Sequence, residues 1–174
     1  RHRHEAVALD TGYYRDGCLY QGIDDFPAVH RRDLRHLTEA DLDGFDAVIH
    51  LAELSNDPLG QHNPEITRGI NHCASVKLAK IAKQGGAKRF IYASSCSVYG
   101  AGNDEVKTEE SSTNPQTTYA ECKVMVERDV SALADEEFSP TFLRNATAFG
   151  PPPRMRFDIV LNNLAGLAWT EKAI

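Results

Sequence analysis

Cysteines and long hydrophobic runs are both scarce in this sequence of 174 residues. It contains four cysteines, and none of them belongs to a C-x-x-C pair: Cys18, Cys73, Cys96 and Cys122. Such scattered cysteines are typical of reduced thiols in a cytoplasmic protein and argue against a disulfide framework or a zinc site. No apolar run approaches the roughly 18 residues that cross a bilayer, so we expect no membrane partner.

The sequence also lacks an excess of positive charge. It carries 19 Lys and Arg against 25 Asp and Glu, and the resulting net charge of -6 argues against nucleic-acid binding. Its histidines cluster at His2 and His4 and at His30 and His36, in stretches rich in arginine. We interpret these clusters as solvated basic surface and predict no metal site.

Short apolar runs alternate with longer helical patterns along the chain. The predicted strands cover residues 6–9, 28–30, 46–52, 89–93 and 140–143. The predicted helices are residues 63–83, with an N-cap at Asn63 followed by Pro64, residues 118–133, and a last helix with apolar residues at helical spacing from Phe157 to Leu167. This alternation predicts an α/β fold with a doubly wound parallel sheet of the Rossmann type, whose ligands bind at the carboxyl ends of the strands.

Asp10 closes the first predicted strand. In a dinucleotide-binding fold such a carboxylate accepts hydrogen bonds from the adenosine ribose and repels the 2'-phosphate of NADP, although it can equally be a simple cap of the strand end. The glycine-rich phosphate loop is expected about 20 residues earlier, before Arg1. We therefore expect the first strand and this loop to lie outside the 174 residues; an intact mass of 19.2 kDa would contradict that expectation.

A tyrosine and a lysine, Tyr119 and Lys123, stand four residues apart in a predicted helix and therefore share one helix face. An ammonium there favours the phenolate, and lowering the pKa of a tyrosine from about 10 to near 7 requires about 4 kcal/mol. Ser95, at the end of a predicted strand, could orient the substrate hydroxyl that the phenol deprotonates. The preceding residues 94–100 read S-S-C-S-V-Y-G, and together with the Tyr/Lys pair they predict an enzyme.

The sequence resembles the extended short-chain dehydrogenase/reductases, the NAD-dependent sugar epimerase/dehydratase group, along nearly its whole length. The segments that carry the resemblance are residues 7–10, 32–34, 48–52, 94–100 and 143–151, with Asn71 and the pair Tyr119/Lys123. It implies that residues 1–150 are an NAD-binding domain without its first strand and phosphate loop. Residues 151–174 would begin a substrate-facing region, and the protein would form a homodimer.

The same resemblance implies roles for individual residues. Tyr119 would be the acid/base, Lys123 its partner and Ser95 the hydroxyl-binding residue, while Asn71 would help to hold the lysine and its water. The implied contacts to NAD are those of Asp10, Asp33, Leu34, Leu51, Ala52, Asn71, Ala93, Ser94, Tyr119, Lys123 and Asn145. The implied contacts to a nucleotide-linked sugar are those of Ser55, Asn56, Ser95, Cys96, Tyr119 and Thr147.

The sequence departs from the family pattern at several positions. Glu53 stands where a small residue is usual, and Thr147 where asparagine is common. Cys96 and Ser97 occupy the positions of the Asp-Glu pair that eliminates water in 4,6-dehydratases, which argues against that activity. We therefore expect an NAD-dependent epimerase or oxidoreductase that forms a keto-sugar. The alternatives are a non-catalytic NAD-binding sensor or partner protein, and a reductase of a non-sugar carbonyl.

Overall fold

A computed structural model describes residues 4–19, 29–55, 57–101 and 106–172. The strands are β1 (Ala8–Asp10), β2 (Val29–Arg31), β3 (Ala47–His50), β4 (Arg89–Ser95) and β5 (Ser139–Asn145). The α-helices are α1 (Asp57–His62), α2 (Pro64–Arg68), α3 (Ser75–Gln84), α4 (Thr118–Ser131) and α5 (Val160–Glu171). A π-helical segment, Gly69–Ala74, joins α2 to α3, and short 3-10 turns occur at Arg15–Gly17, Leu34–His36, Glu39–Asp41 and Cys96–Tyr99.

The chain divides into two compact units, Arg1–Arg32 with Thr147–Ile174, and Asp33–Ala146. In the first unit β1 and β2 form a parallel pair, with Ala8 opposite Val29. Helix α5 belongs to the same unit. The sequence-based domain boundary at residue 150 stays a prediction.

The second unit contains a three-stranded parallel sheet in the order β3-β4-β5. Its central strand, β4, alternates between fully buried Phe90 and Tyr92 and less buried neighbours. Apolar positions of α3 and α4 are also buried and complete the core of this unit: Leu78, Ala79, Ile81, Ala82, Val126 and Val130. Together with the parallel pair of the first unit, this confirms the predicted Rossmann-like α/β class.

The predicted helix over residues 63–83 is helical throughout, but it is not one regular α-helix. Asn63 caps it through its side-chain oxygen, which accepts from the amide of Ile66 at 3.1 Å, and Gly85 terminates it. The π-helical segment Gly69–Ala74 interrupts the 3.6-residue repeat. Such a bulge leaves the apolar periodicity on both sides intact, so the pattern does not reveal it.

Two details of the helix prediction are wrong. Helix α1 was not predicted, because Pro58 and Gly60 are residues typical of turns. Phe157 precedes α5 and is 57% exposed, so it does not begin the apolar face of that helix.

Gly100 allows the chain to leave the 3-10 turn Cys96–Tyr99. Its φ of 69° with ψ of -156° is accessible essentially to glycine alone, and an added Cβ would overlap the carbonyl oxygen of Asn114. We expect Gly100→Ala to lower the free energy of unfolding by about 3 kcal/mol. Urea denaturation of the variant and the wild type measures this difference in the free energy of unfolding. The matched control is Gly69→Ala, where a Cβ meets nothing within 4 Å; an equal loss there would contradict the steric explanation.

Candidate active site at the carboxyl end of the central strand

The start of α4 brings Tyr119 and Lys123 together. The Thr117 side chain caps the helix by accepting from the amide of Ala120 at 3.2 Å. The ammonium of Lys123 lies 5.1 Å from the centre of the Tyr119 ring. Tyr119 is half-buried, while Lys123 is buried. The two side chains that the sequence paired are therefore neighbours at the edge of the core.

Lys123 is held at the carboxyl end of β4. Its ammonium donates a hydrogen bond to the carbonyl oxygen of Ala93 and forms an ion pair with Glu53. The same nitrogen lies 4.5 Å from the centre of the Tyr92 ring. A charged group enclosed by a carbonyl, a carboxylate and an aromatic face has replacements for the water it lost.

Glu53 is the carboxylate of this cluster, and its side chain is only 3% exposed. One oxygen accepts a hydrogen bond from the Tyr92 hydroxyl, and the other faces Lys123. Burial raises the pKa of Glu53, and burial lowers the pKa of Lys123; the attraction between the two opposes both changes. Whichever group holds the shared proton, the pair Glu53/Lys123 carries no net charge.

Three titratable groups around this pair are uncharged at neutral pH, whereas the carboxylate of Glu127, which also acts on Lys123, is paired with Arg144. Burial raises the pKa of Tyr92, with a further contribution from Glu53, and burial raises the pKa of Cys122 to about 11. Burial, followed by the charge of Lys123, lowers the pKa of His50 to about 3. His50 Nε2 lies 2.7 Å from the hydroxyl oxygen of Ser75, so its neutral ring has a polar partner. The surroundings of Lys123 are thus polar but carry little charge.

Asn71 lies on the π-helical segment and is fully buried. Its amide oxygen accepts from the backbone N–H of Leu54 at 2.9 Å, and its amide nitrogen donates to the Leu54 carbonyl at 2.9 Å. Asn71 therefore fixes the backbone directly after Glu53. Its predicted help to the lysine and its water stays a prediction, and the described contact is with the loop that carries Glu53.

The last residues of β4 have different surroundings. Ser94 is buried and donates to Glu127 at 2.5 Å, so its side chain is engaged inside the unit. The Ser95 hydroxyl oxygen is half-buried and accepts from the amide of Ser97 at 3.2 Å. Cys96 is exposed. Of these three predicted contacts, Ser94 is buried, Ser95 is half-buried and Cys96 is exposed.

A cleft of about 1080 Å³ opens beside Cys96 and Asn145. Arg144 on its wall donates to both carboxylate oxygens of Glu127, with the shortest contact 2.7 Å, and also to the Tyr99 hydroxyl at 3.0 Å. The Glu127 hydrogen bonds raise the pKa of Arg144. This ion pair fixes one wall of a cleft large enough for a small ligand.

The acidic residues predicted for the adenosine end belong to different units. Asp10 is exposed, and its carboxylate accepts from the amide of Gly12 at 2.5 Å. Asp33 caps the turn containing half-buried Leu34 and pairs with Arg35 at 2.6 Å, and its hydrogen bonds with Arg35 lower its pKa to about 2. Both carboxylates thus have local structural contacts, and their roles toward a cofactor stay predictions.

The remaining predicted contacts lie mostly on the surface. The exposed residues are Leu51, Ala52, Ser55, Asn145 and Thr147, whereas Asn56 falls outside the described residues. Over the described ranges no group of three or more His, Cys, Asp or Glu side chains could hold a metal ion. In those same ranges no helix is long and apolar enough to cross a membrane.

Sequence reasoning missed three members of the site. Glu53 enters the sequence-based prediction only as a departure from the family pattern, and neither Tyr92 nor Glu127 is part of the predicted site. A carboxylate directly after a predicted apolar strand was the available signal, because Glu is rarely fully buried unless it is paired. No signal in the sequence identified Lys123 as its partner.

Comparison with known proteins identifies a family to which the sequence is similar. The model of the NAD dependent epimerase/dehydratase family matches residues 1–166. UDP-glucose 4-epimerase 2 of Arabidopsis thaliana is 32% identical over 112 residues, which are 63% of this chain and 32% of that protein. The chain thus spans about a third of that curated relative.

Solved structures show the same fold. MoeE5 in complex with UDP-glucuronic acid and NAD is 29% identical with a TM-score of 0.75, and the match covers 92% of this chain and 52% of that one. DesIV, a dTDP-glucose 4,6-dehydratase from Streptomyces venezuelae with NAD bound, is 21% identical with a TM-score of 0.81, over 96% of this chain and 53% of that one. Because its identity is so low, the second likeness concerns the fold alone. Both epimerases and dehydratases therefore occur among the similar proteins.

Proposed function

Since this chain belongs to the NAD dependent epimerase/dehydratase family, we propose that it binds NAD and acts as an epimerase or oxidoreductase on a nucleotide-linked sugar. The observation that carries the proposal is the placement of Lys123 within 5.1 Å of the Tyr119 ring, at the carboxyl end of a parallel strand. Parallel α/β sheets bind their ligands at this end. A phenol beside an amine there is suited to exchanging protons with a bound hydroxyl.

Individual strand ends offer groups that suit parts of a dinucleotide. Asp10 offers an exposed carboxylate at the carboxyl end of β1, where a ribose diol can donate to it. Leu51 directly follows β3 and is 73% exposed. An apolar side chain at a strand end can pack against a planar ring of the dinucleotide. Within this proposal the further NAD contacts are those that the resemblance implies, namely Asp33, Leu34, Ala52, Asn71, Ala93, Ser94, Tyr119, Lys123 and Asn145.

In the proposed mechanism Tyr119 accepts the proton of a sugar hydroxyl and later returns it. Ser95 orients that hydroxyl, and Lys123 positions the ligand beside the phenol. Bound NAD would supply the hydride acceptor for the carbon that carries this hydroxyl, and the oxidised sugar would be a keto-sugar. Contacts of Ser55, Asn56, Cys96 and Thr147 with the sugar nucleotide belong to the proposal.

Incubation of the full-length protein with NAD and a panel of UDP- and dTDP-sugars tests this function. We expect a sugar-dependent change in the absorbance of reduced nicotinamide or an epimerised product detected by NMR. Failure of every sugar, with NAD still bound in calorimetry, would favour the NAD-binding sensor or partner protein, and reduction of simple ketones would favour a non-sugar carbonyl reductase.

The same assay tests whether the protein is a 4,6-dehydratase. We propose that it is not, because Cys96 and Ser97 offer a thiol and a hydroxyl where elimination of water requires a carboxylic acid and a carboxylate. A 4-keto-6-deoxy product would overturn this point. The likeness to DesIV concerns the fold, so the product analysis decides whether the protein eliminates water.

We further propose a homodimer in the cytoplasm. The dimer rests on the family resemblance alone, because the helices that flank the Tyr/Lys site often form dimers in relatives. The proposed location rests on the four cysteines, which are all free. Analytical ultracentrifugation of the full-length protein measures the oligomeric state; a monomer at micromolar concentration would contradict the dimer.

A further inference from the structure

The side chain of Lys123 lies in a part of the core from which water is largely excluded. It is 4% exposed, and the centre of the Tyr92 ring lies 4.5 Å from its nitrogen. Such burial favours the neutral amine of a lysine over its ammonium, and it lowers the pKa of Lys123. A lysine at this position therefore needs a neighbour that favours its charged form.

Glu53 is that neighbour. Its side chain is 3% exposed and forms the ion pair with Lys123, so water screens their attraction very little. Two further contacts fix the carboxylate: the Tyr92 hydroxyl donates to its other oxygen, and Asn71 holds the backbone of Leu54 with two hydrogen bonds at 2.9 Å. The attraction therefore does not depend on a mobile side chain.

The other groups around Lys123 do not replace this carboxylate. Three of them are uncharged at neutral pH: His50 on β3, Tyr92 on β4 and Cys122 on α4. Glu127, one turn further along α4, is engaged by Arg144 at 2.7 Å. The ring centre of Tyr119 lies 5.1 Å from the nitrogen.

The helical residues packed against α4 also have carboxylate partners of their own. Arg68 pairs with Glu121 at 3.0 Å, and His72 lies 2.7 Å from Asp129. Among the described residues, Glu53 is therefore the carboxylate in direct contact with Lys123.

The protonation state of Lys123 decides how many N–H donors it has. An ammonium has three, and an amine has two. In the described part of the chain two acceptors contact the nitrogen, namely the carbonyl oxygen of Ala93 and the carboxylate of Glu53. Only the ammonium therefore keeps a third donor for an oxygen atom of a ligand.

We propose that Glu53 is a positioning residue that acts through Lys123: its carboxylate keeps the lysine in the ammonium form inside the core and so preserves a donor for the ligand. The proposal rests on the proposed function, in which Lys123 positions the ligand beside Tyr119. Of the two neutral forms of the pair, it selects ammonium with carboxylate over amine with carboxylic acid. Glu53 thus influences the ligand without touching it.

NMR titration of Lys123 tests the proposal directly. Full-length protein is labelled with carbon-13 at the lysine Cε, and the Lys123 signal is identified by its loss in Lys123→Arg. In the wild type we expect the chemical shift of an ammonium at neutral pH. In Glu53→Gln, which removes the charge and keeps a side chain of the same size, we expect a titration midpoint lower than in the wild type by about 1 to 3 pH units. An unchanged midpoint would overturn the proposal.

Two control variants separate charge from structure. Glu53→Asp keeps the negative charge on a shorter side chain, so its midpoint should lie above that of Glu53→Gln. Glu136→Gln removes one charge at an exposed position and should leave the midpoint unchanged. A purely structural role of Glu53 would lower the stability of its variants without moving the midpoint in this order.

If Glu53→Gln does not fold, the wild type decides alone through carbon-13 at the glutamate Cδ. A Glu53 carboxylate beside a Lys123 ammonium at neutral pH would support the proposal. A carboxylic acid at Glu53, or an amine at Lys123, would overturn it, because an uncharged Glu53 cannot stabilise a cation.

Calorimetry of NAD binding distinguishes this proposal from the proposed function. We expect NAD to bind Glu53→Gln about 10- to 100-fold more weakly above the lowered midpoint than below it, because the third donor is lost with the proton. Glu53→Asp should show no such step over the same pH range. If the midpoint falls as expected but NAD affinity stays constant across it, the ligand contact assigned to Lys123 in the proposed function is wrong, while the effect of Glu53 on the lysine is confirmed.

Discussion

Replacement of Tyr119 by phenylalanine is expected to lower turnover by about 100- to 10,000-fold, because the proton acceptor is lost while the ring stays in place. The change removes one oxygen atom from a half-buried side chain and leaves the 5.1 Å approach of Lys123 to the ring intact. We therefore expect normal folding and normal NAD affinity. Steady-state kinetics with the sugar found in the substrate panel, together with calorimetry of NAD binding, measure both quantities.

Tyr13→Phe is the matched control for that experiment. Tyr13 is 68% exposed, and removal of its hydroxyl should leave kcat within the error of the wild type. If Tyr119→Phe retains near-wild-type turnover, the acid/base assignment is wrong. A loss of NAD binding in parallel with turnover would point to a cofactor contact instead of proton transfer.

Replacement of Lys123 by methionine is expected to lower the free energy of unfolding by about 3 to 5 kcal/mol, because it leaves a buried carboxylate without its partner. Methionine fills a similar volume, so the effect comes from charge more than from packing. The control is Lys83→Met. Its partner Asp135 is exposed, and loss of such a surface pair should cost far less.

The pH dependence of Lys123→Met follows from Glu53. Without the ammonium, burial raises the Glu53 pKa above the ordinary value of 4.5, while the hydrogen bond from Tyr92 opposes part of this change. The folded variant then binds a proton that the unfolded chain has already lost, so its stability falls as pH rises from 4.5 through the folded-state pKa. Urea unfolding at a series of pH values should show that the variant loses the least stability, relative to the wild type, at acidic pH.

The double variant Lys123→Met/Glu53→Gln isolates the pair. It has no buried charge at this position, so it should recover most of the lost stability and lose the extra pH dependence. Recovery of stability without recovery of turnover would separate the structural role of the pair from its role beside Tyr119. If Lys123→Met loses the same unfolding free energy at every pH, and the double variant loses as much, the explanation by an unpaired carboxylate is wrong.

Much of the fold was predictable because its signals are local. The two apolar runs that become β3 and β4, the cap at Asn63 and the stop at Gly85 each depend on a few neighbouring residues. The π-helical segment Gly69–Ala74 and helix α1 were missed, since the first preserves the apolar pattern around it and the second contains residues that normally break helices.

The candidate site was predictable only in part. The pairing of Tyr119 with Lys123 follows from a spacing of four in one helix, which any α-helix turns into proximity. The contacts of Lys123 with Ala93 and Glu53 join three separate elements of the chain. A pattern in one segment carries no information about which side chain of another segment it will meet.

By itself, the sequence determined the parallel α/β class, the family, and the tyrosine and lysine that share one face of α4, because periodicity, capping and motif spacing act within short stretches. Only the tertiary structure decided the charge of the site. Long-range packing carries Glu53 into contact with Lys123 and excludes water from both, and this turns an apparent lone ammonium into a neutral pair.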